Sequence, residues 1–166
     1  MRAPVVGALC VVAAFALDQA TKAVALGASA LATGVEVLPV LNLVLVHNHG
    51  VSFGMLAGIT PWWALSCLSL TIVGALSIWL WRAHDGLLGA ALGLVIGGAL
   101  GNVLDRLRHG AVIDFLDVHL GAYHWPAFNL ADVAVVCGVG LLLLQHWRET
   151  SEQVAARRSG GSPDRR

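Results

Sequence analysis

Charge is what this chain has least of. Ten acidic and ten basic residues make up 12% of 166, against roughly a quarter in soluble domains, while 57% are hydrophobic and mean hydropathy is +0.76. That balance excludes an ordinary soluble domain and implies a membrane protein. Cysteine is scarce too. Cys10, Cys67 and Cys137 lie in apolar stretches with no C-x-x-C spacing, which leaves no redox pair and no disulfide framework. No H-E-x-x-H and no paired Cys and His spacing occurs, so the string His47-Asn48-His49 carries no metal or nuclease signature. Arg2 precedes an apolar N-terminus, but no small-residue cleavage site leads into a soluble domain, which argues against a removable leader.

What is present is length without charge. Trp62 to Trp81 is twenty residues with no charged side chain, and Gly86 to Leu104 adds nineteen in which Asn102 is the strongly polar exception. About twenty apolar residues cross a bilayer as helix. Two further runs are interrupted: Ala3 to Leu17 before Asp18 and Lys22, and Ala127 to Trp147 with Asn129 and Asp132 near its start. Four spans result. Seven of the ten cations fall at the N-terminus, between spans two and three, or in the tail, so the positive-inside rule puts both termini in the cytoplasm. Residues 1–150 read as one membrane domain with outer loops at 33–60 and 107–127. Residues 151–166, rich in Ser, Gly and Arg, read as a disordered cytoplasmic tail. Trp62, Trp63, Trp79, Trp81, Trp125 and Trp147 mark the ends of spans, and the glycines of Gly86 to Gly101 suit close helix packing.

This topology gives the polar residues a depth. Span three runs outward from Gly86, so Asp105 arrives about 28 Å later, at the outer surface. Asn129 and Asp132 stand at the outer entrance of span four, and Asp18 and Lys22 in the outer part of span one. The outer loop from Gly34 to Gly58 alternates apolar residues around Asn48, Gly50 and Gly54, which favours short strands over helix. Asp18, Lys22, Asn48, Asn102, Asp105, Arg106, Asp114, Asn129 and Asp132 thus converge on one layer. Asn102 and Asp105 share a helix face at i, i+3, as do Asn129 and Asp132. Asp117 reads as a solvated loop charge.

Ionisable groups at membrane depth cost on the order of a few kcal/mol and usually serve function. Capping or pairing would account for Arg106, and Asn129 suits a helix cap after Pro126. Neither accounts for Asp114, set among Val112, Ile113, Phe115 and Leu116, or for Asp132, three residues past the cap. Two neighbouring carboxylates resist double ionisation, so one keeps a proton while the other stays charged. That pair can activate water and polarise a carbonyl, the equipment for amide hydrolysis. A proton-relaying carrier is the rival reading, yet no chain of ionisable residues continues inward. A membrane scaffold that only binds leaves the two aspartates unexplained.

Four blocks carry a resemblance: DQATK at Asp18 to Lys22, NHGVSFG at Asn48 to Gly54, GGALGNVLDRLRHGAVIDF at Gly97 to Phe115, and FNLADV at Phe128 to Val133. With the four-span frame, the chain resembles the lipoprotein signal peptidases (signal peptidase II). The resemblance implies an all-α membrane fold of four transmembrane helices with a small extracytoplasmic β-cradle between helices 1 and 2. It implies a metal-independent aspartic endopeptidase of the bacterial inner membrane, working near the outer face with no cofactor; a monomer with no nucleic-acid partner is the default expectation. Its substrate would be a diacylglyceryl-modified prolipoprotein, cut at the bond before the lipidated cysteine while the signal peptide lies among membrane lipid and the enzyme's spans. The catalytic pair maps onto Asp114 and Asp132, and supporting roles onto Asp18, Lys22, Asn48, Gly54, Asn102, Asp105, Arg106 and Asn129.

Overall fold

A computed structural model describes residues 2–50 and 61–159. Helix α1 spans Ala3–Gly27, and a 3-10 turn at Ser29–Ala32 leads into strands β1 (Val35–Leu38) and β2 (Leu41–Asn48). Helices α2 (Trp62–Trp81) and α3 (Gly86–His109) follow, then β3 (Val112–Leu120), β4 (Tyr123–His124) and α4 (Leu130–Ser159). Among the described residues, four helices are long and apolar enough to cross a membrane, so the chain is a multi-pass membrane protein.

The four helices are not equivalent. In α3, 56% of the most apolar stretch is buried, against 11–22% in the others, so α3 is the centre of the bundle. Glycine makes this possible. A Cβ added at Gly89 or Gly93 would run into the backbone oxygens of Ala3 and Gly7 on α1, and one at Gly98 into that of Ala131 on α4. Small residues let helices close to backbone contact, where dispersion and not water exclusion holds them together in lipid. Leu92 and Ile96 complete the contact by packing with Ala3, Leu80 and Ala83.

Both ends of α3 are closed by side chains or backbone geometry suited to the task. The Asp85 carboxylate accepts from the N–H groups of Leu87 and Leu88 at 2.9 and 3.0 Å, and Gly110 ends the helix in the left-handed region at φ 68°. Gly110 thereby turns the chain directly into β3.

The strands form one antiparallel sheet in the order β1-β2-β3-β4. The expected cradle between helices 1 and 2 is therefore half of the sheet, and the loop after α3 supplies the rest. Val112, Ile113, Asp114 and Phe115 are all buried, so the strand lacks the alternation that betrays a half-exposed one. Phe115 packs with Ala25 and Leu31, against Leu43, Leu45 and Leu130. Register places Asp114 opposite Val46 and Val112 opposite Asn48.

One boundary differs from expectation. Helix α4 continues to Ser159, so residues 151–159, assigned from composition to a disordered tail, are helical. Glu, Gln, Ala and Arg dominate this stretch and are good helix formers, and the first glycine comes only at Gly160.

Candidate active site

The site is built where three helices meet the sheet. Lys22, 1% exposed, lies one turn beyond Asp18 on α1 and donates to Asp18 Oδ2 at 2.9 Å, Asp105 Oδ2 at 2.6 Å and Asn102 Oδ1 at 2.9 Å. Three acceptors use its three N–H groups. Buried ions persist only when paired and hydrogen-bonded, and this hub meets that condition. Asp18 Oδ1 also accepts the Ala131 N–H at 2.9 Å, so α1 satisfies a free donor at the start of α4. Asp105 accepts the Ile113 N–H at 3.2 Å and so fastens the strand residue next to Asp114.

Asn129 joins the two aspartates. Its Oδ1 accepts from the Asp132 N–H at 3.0 Å while its own N–H donates to Asp132 Oδ2 at 3.3 Å, a reciprocal cap on α4. Its Nδ2 donates to Asp114 Oδ1 at 2.7 Å. The cap and the polar contact, alternatives in the sequence, are one residue doing both. Asn48 Nδ2 reaches the other Asp114 oxygen at 3.0 Å, and Asn102 Nδ2 reaches Asp132 Oδ1 at 3.0 Å. Arg106 does not cap α3. Its Nη2 donates to the Gly50 carbonyl at 3.1 Å, which ties α3 to the end of the β2 segment.

Asp114 is 2% exposed, and its carboxyl is pushed up to about 6. Desolvation is the main cause and the Asp132 charge adds to it, while the amides of Asn48 and Asn129 and the Lys22 charge oppose it. A carboxyl so placed holds or releases a proton near neutral pH. Asp114 and Asp132, with Asn48, Asn102 and Arg106, face a cavity of 580 Å³. Its remaining wall is mainly apolar: Ala99 of α3, Val112 of β3, Trp125 to Phe128, and Val133, Val135, Val136 and Cys137 of α4, with Ser69 from α2. One end of the cavity is thus ionisable, and the rest suits an apolar chain.

Every site residue named from sequence falls in this network except Gly54, which lies outside the described residues. Gln19 was missed. Its Nε2 donates to Asp105 Oδ1 at 3.0 Å and also approaches Asp18 Oδ2 and the Gly101 carbonyl. Its position inside the DQATK block was the available signal. Asp117 needs correction: it is buried in β3, accepting from Asn42 Nδ2 at 3.1 Å and lying 2.9 Å from His124 Nδ1. His119 stacks on His124 with centroids 4.8 Å apart. This cluster belongs to the sheet and makes none of the contacts around Asp114. Among the described residues, no three His, Cys, Asp or Glu side chains are grouped to hold a metal ion.

Residues 10–148 match the family described as signal peptidase (SPase) II. The chain is 45% identical over 134 residues to a lipoprotein signal peptidase of Burkholderia thailandensis, covering 79% of this chain and 81% of that one. It is 47% identical over 134 residues to one from Azoarcus sp., covering 79% and 76%, and 40% identical over 126 residues to one from Vibrio vulnificus, covering 74% and 75%. A solved structure of a bacterial membrane enzyme superposes with a TM-score of 0.79 at 30% identity, over 88% of this chain and 90% of that one.

Proposed function

The chain belongs to the signal peptidase II family, and from that premise we propose that it is an aspartyl endopeptidase acting at the membrane. The substrate is a diacylglyceryl-modified prolipoprotein, and the bond hydrolysed is the one before the lipidated cysteine. The observation that carries this reading is Asn129, which bonds Asp114 through its amide and Asp132 through its cap, at the polar end of an apolar cavity.

The chemistry follows from the pair. Two carboxyls in a poorly hydrated site share one proton. The ionised member draws a proton from water as the water oxygen attacks the scissile carbonyl, and the protonated member donates to the carbonyl oxygen. No metal or covalent intermediate is required. The apolar part of the cavity receives the signal peptide and lipid, and the sheet covers the cleavage site. The chain works as a monomer in the inner membrane, with both termini cytoplasmic and the sheet at the outer face, so that a lipidated precursor meets the aspartates at the interface.

The test is cleavage of a diacylglyceryl-modified precursor peptide by purified protein with a chelator present, beside folded Asp114→Asn and Asp132→Asn variants. Cleavage that resists the chelator and is lost in both variants supports the reading. Full activity in either variant removes that residue from the mechanism.

A further inference from the structure

Three carboxamides border the two aspartates, and each is oriented by a donor at its own oxygen. Asn48 Oδ1 accepts from the Gly50 N–H at 3.0 Å and Asn129 Oδ1 from the Asp132 N–H at 3.0 Å. Asn102 Oδ1 accepts from Lys22 Nζ at 2.9 Å, with Asn129 Nδ2 a longer second donor at 3.3 Å. With the oxygens engaged, the carboxylates meet the NH2 groups: Asn48 and Asn129 serve Asp114, and Asn102 serves Asp132. Two of the orienting donors are neutral backbone groups. The third is a full positive charge, placed on the one amide that serves Asp132.

A cation at an amide oxygen polarises the amide and makes its N–H a stronger donor, an effect that a low dielectric enlarges. Lys22 is already saturated by Asp18, Asp105 and Asn102, so its one hydrogen-bonded route to the pair runs through Asn102, while its charge also acts on Asp114 through space. Helix α4 adds a bias of the same sign. Asp132 occupies its first turn, where the exposed N–H groups favour an anion, while Asp114 lies within a sheet.

We infer that Lys22, acting through Asn102, makes Asp132 the carboxylate that starts each turnover ionised and takes the proton of water, leaving Asp114 as the partner that carries the proton. This assignment rests on the aspartyl peptidase reading above. As the water oxygen bonds to the scissile carbon, its proton passes to Asp132 and Asp114 protonates the carbonyl oxygen. Collapse of the gem-diol breaks the C–N bond. Asp132 gives its proton to the departing amine, Asp114 recovers one from a diol hydroxyl, and both return to their initial states. Lys22 is a positioning residue in this scheme.

The charged groups around the pair are Asp18 and Lys22 of α1 and Asp105 and Arg106 of α3. Strand β2 presents the neutral Asn48, its neighbours His47 and His49 being exposed, and residues 51–60 contain no ionisable side chain.

The deciding measurement is the pH profile of kcat/KM for the full chain on a diacylglyceryl-modified precursor peptide. Asn102→Ala removes the donor to Asp132, and the acid limb moves to higher pH by about one unit. Lys22→Gln moves it the same way and, since the Lys22 charge also acts on Asp114, raises the basic limb too, and Lys22→Arg restores much of the wild-type profile. Asn48→Ala removes a donor to Asp114 and raises the basic limb instead, leaving the acid limb in place. An acid limb that moves in Asn48→Ala but not in Asn102→Ala reverses the roles and overturns the inference. If Lys22→Gln does not fold, the two asparagine variants decide the matter. Full activity in Asp114→Asn or Asp132→Asn is a different result, which removes the peptidase reading itself.

Discussion

Asn102 with Asp105 and Asn129 with Asp132 have the same composition and the same i, i+3 spacing, yet they do different things. Asn129 and Asp132 stand at the start of α4, where backbone N–H groups lack helical partners, and the two residues cap each other there. Asp132 is left facing the cavity. Asn102 and Asp105 lie in the last two turns of α3, where the backbone donors are already used. Their side chains must find partners elsewhere, so Asp105 turns to Lys22, Gln19 and the Ile113 N–H, and only Asn102 faces the second aspartate. Spacing sets which face a pair shares. The end of the helix it occupies decides whether its carboxylate is captured by buried partners or left facing the cavity.

The sharpest way to break that comparison is to remove each carboxylate in turn. Asp132→Asn and Asp114→Asn are expected to lower kcat by roughly 10²–10⁴-fold in folded protein. Asp105→Asn keeps measurable turnover. An equal loss in Asp105→Asn, with unfolding unchanged, would erase the distinction. Stability runs the other way. Asp105→Ala leaves Lys22 short of a partner in a site that is almost wholly buried, and should cost about 3–5 kcal/mol in thermal or denaturant unfolding in detergent. Asp132→Ala, which loses a cap bond and an amide contact, should cost about 1–2 kcal/mol.

The four spans were legible because a run of about twenty apolar residues without charge fits a bilayer and little else. The convergence of the polar residues followed from topology alone. That α3 is central was hidden, since apolar content does not separate a helix buried in protein from one facing lipid, and only the glycine contacts with α1 and α4 make the distinction. Strand β3 was hidden for a related reason: with Val112 to Phe115 buried throughout, no period of two marks it. Asp117 misled because a carboxylate near a loop reads as solvated, whereas Asn42 and His124 come to it from other strands. The proximity of Asp114 and Asp132 was expected from residue type and depth, and both face one cavity. The orientation of each amide was not, because it depends on Lys22, Gly50 and the first turn of α4.

A smaller effect separates Asp114 from its neighbour on the same strand. Its carboxyl stands at about 6 in the folded chain, so between about pH 4 and 6 the native state holds more protons than the unfolded one. Stability therefore falls as pH rises through that window, by an amount on the order of 2–3 kcal/mol. Unfolding followed across this range should show the slope in the wild type and lose most of it in Asp114→Asn. A slope unchanged by the substitution would assign it to another group.

Asp117 should show the opposite sign and the smallest size. Desolvation raises its carboxyl, but hydrogen bonds from His124 and Asn42 outweigh that and hold it below the ordinary range. Its contribution is present above the usual carboxylate value of about 3.9 and disappears as pH falls through the lower folded value. The His124 side chain is half exposed, so solvent and salt screen the pair, and Asp117→Asn should cost less than about 1 kcal/mol. Turnover should stay within about twofold, since Asp117 is bonded within the sheet and touches nothing around Asp114. Two aspartates three residues apart thus bend the pH–stability curve in opposite directions. Asp117 lifts stability as pH rises toward about 4, and Asp114 lowers it beyond. A double variant should flatten both slopes, and a twofold-exceeding loss of turnover in Asp117→Asn would show that the sheet cluster reaches the site after all.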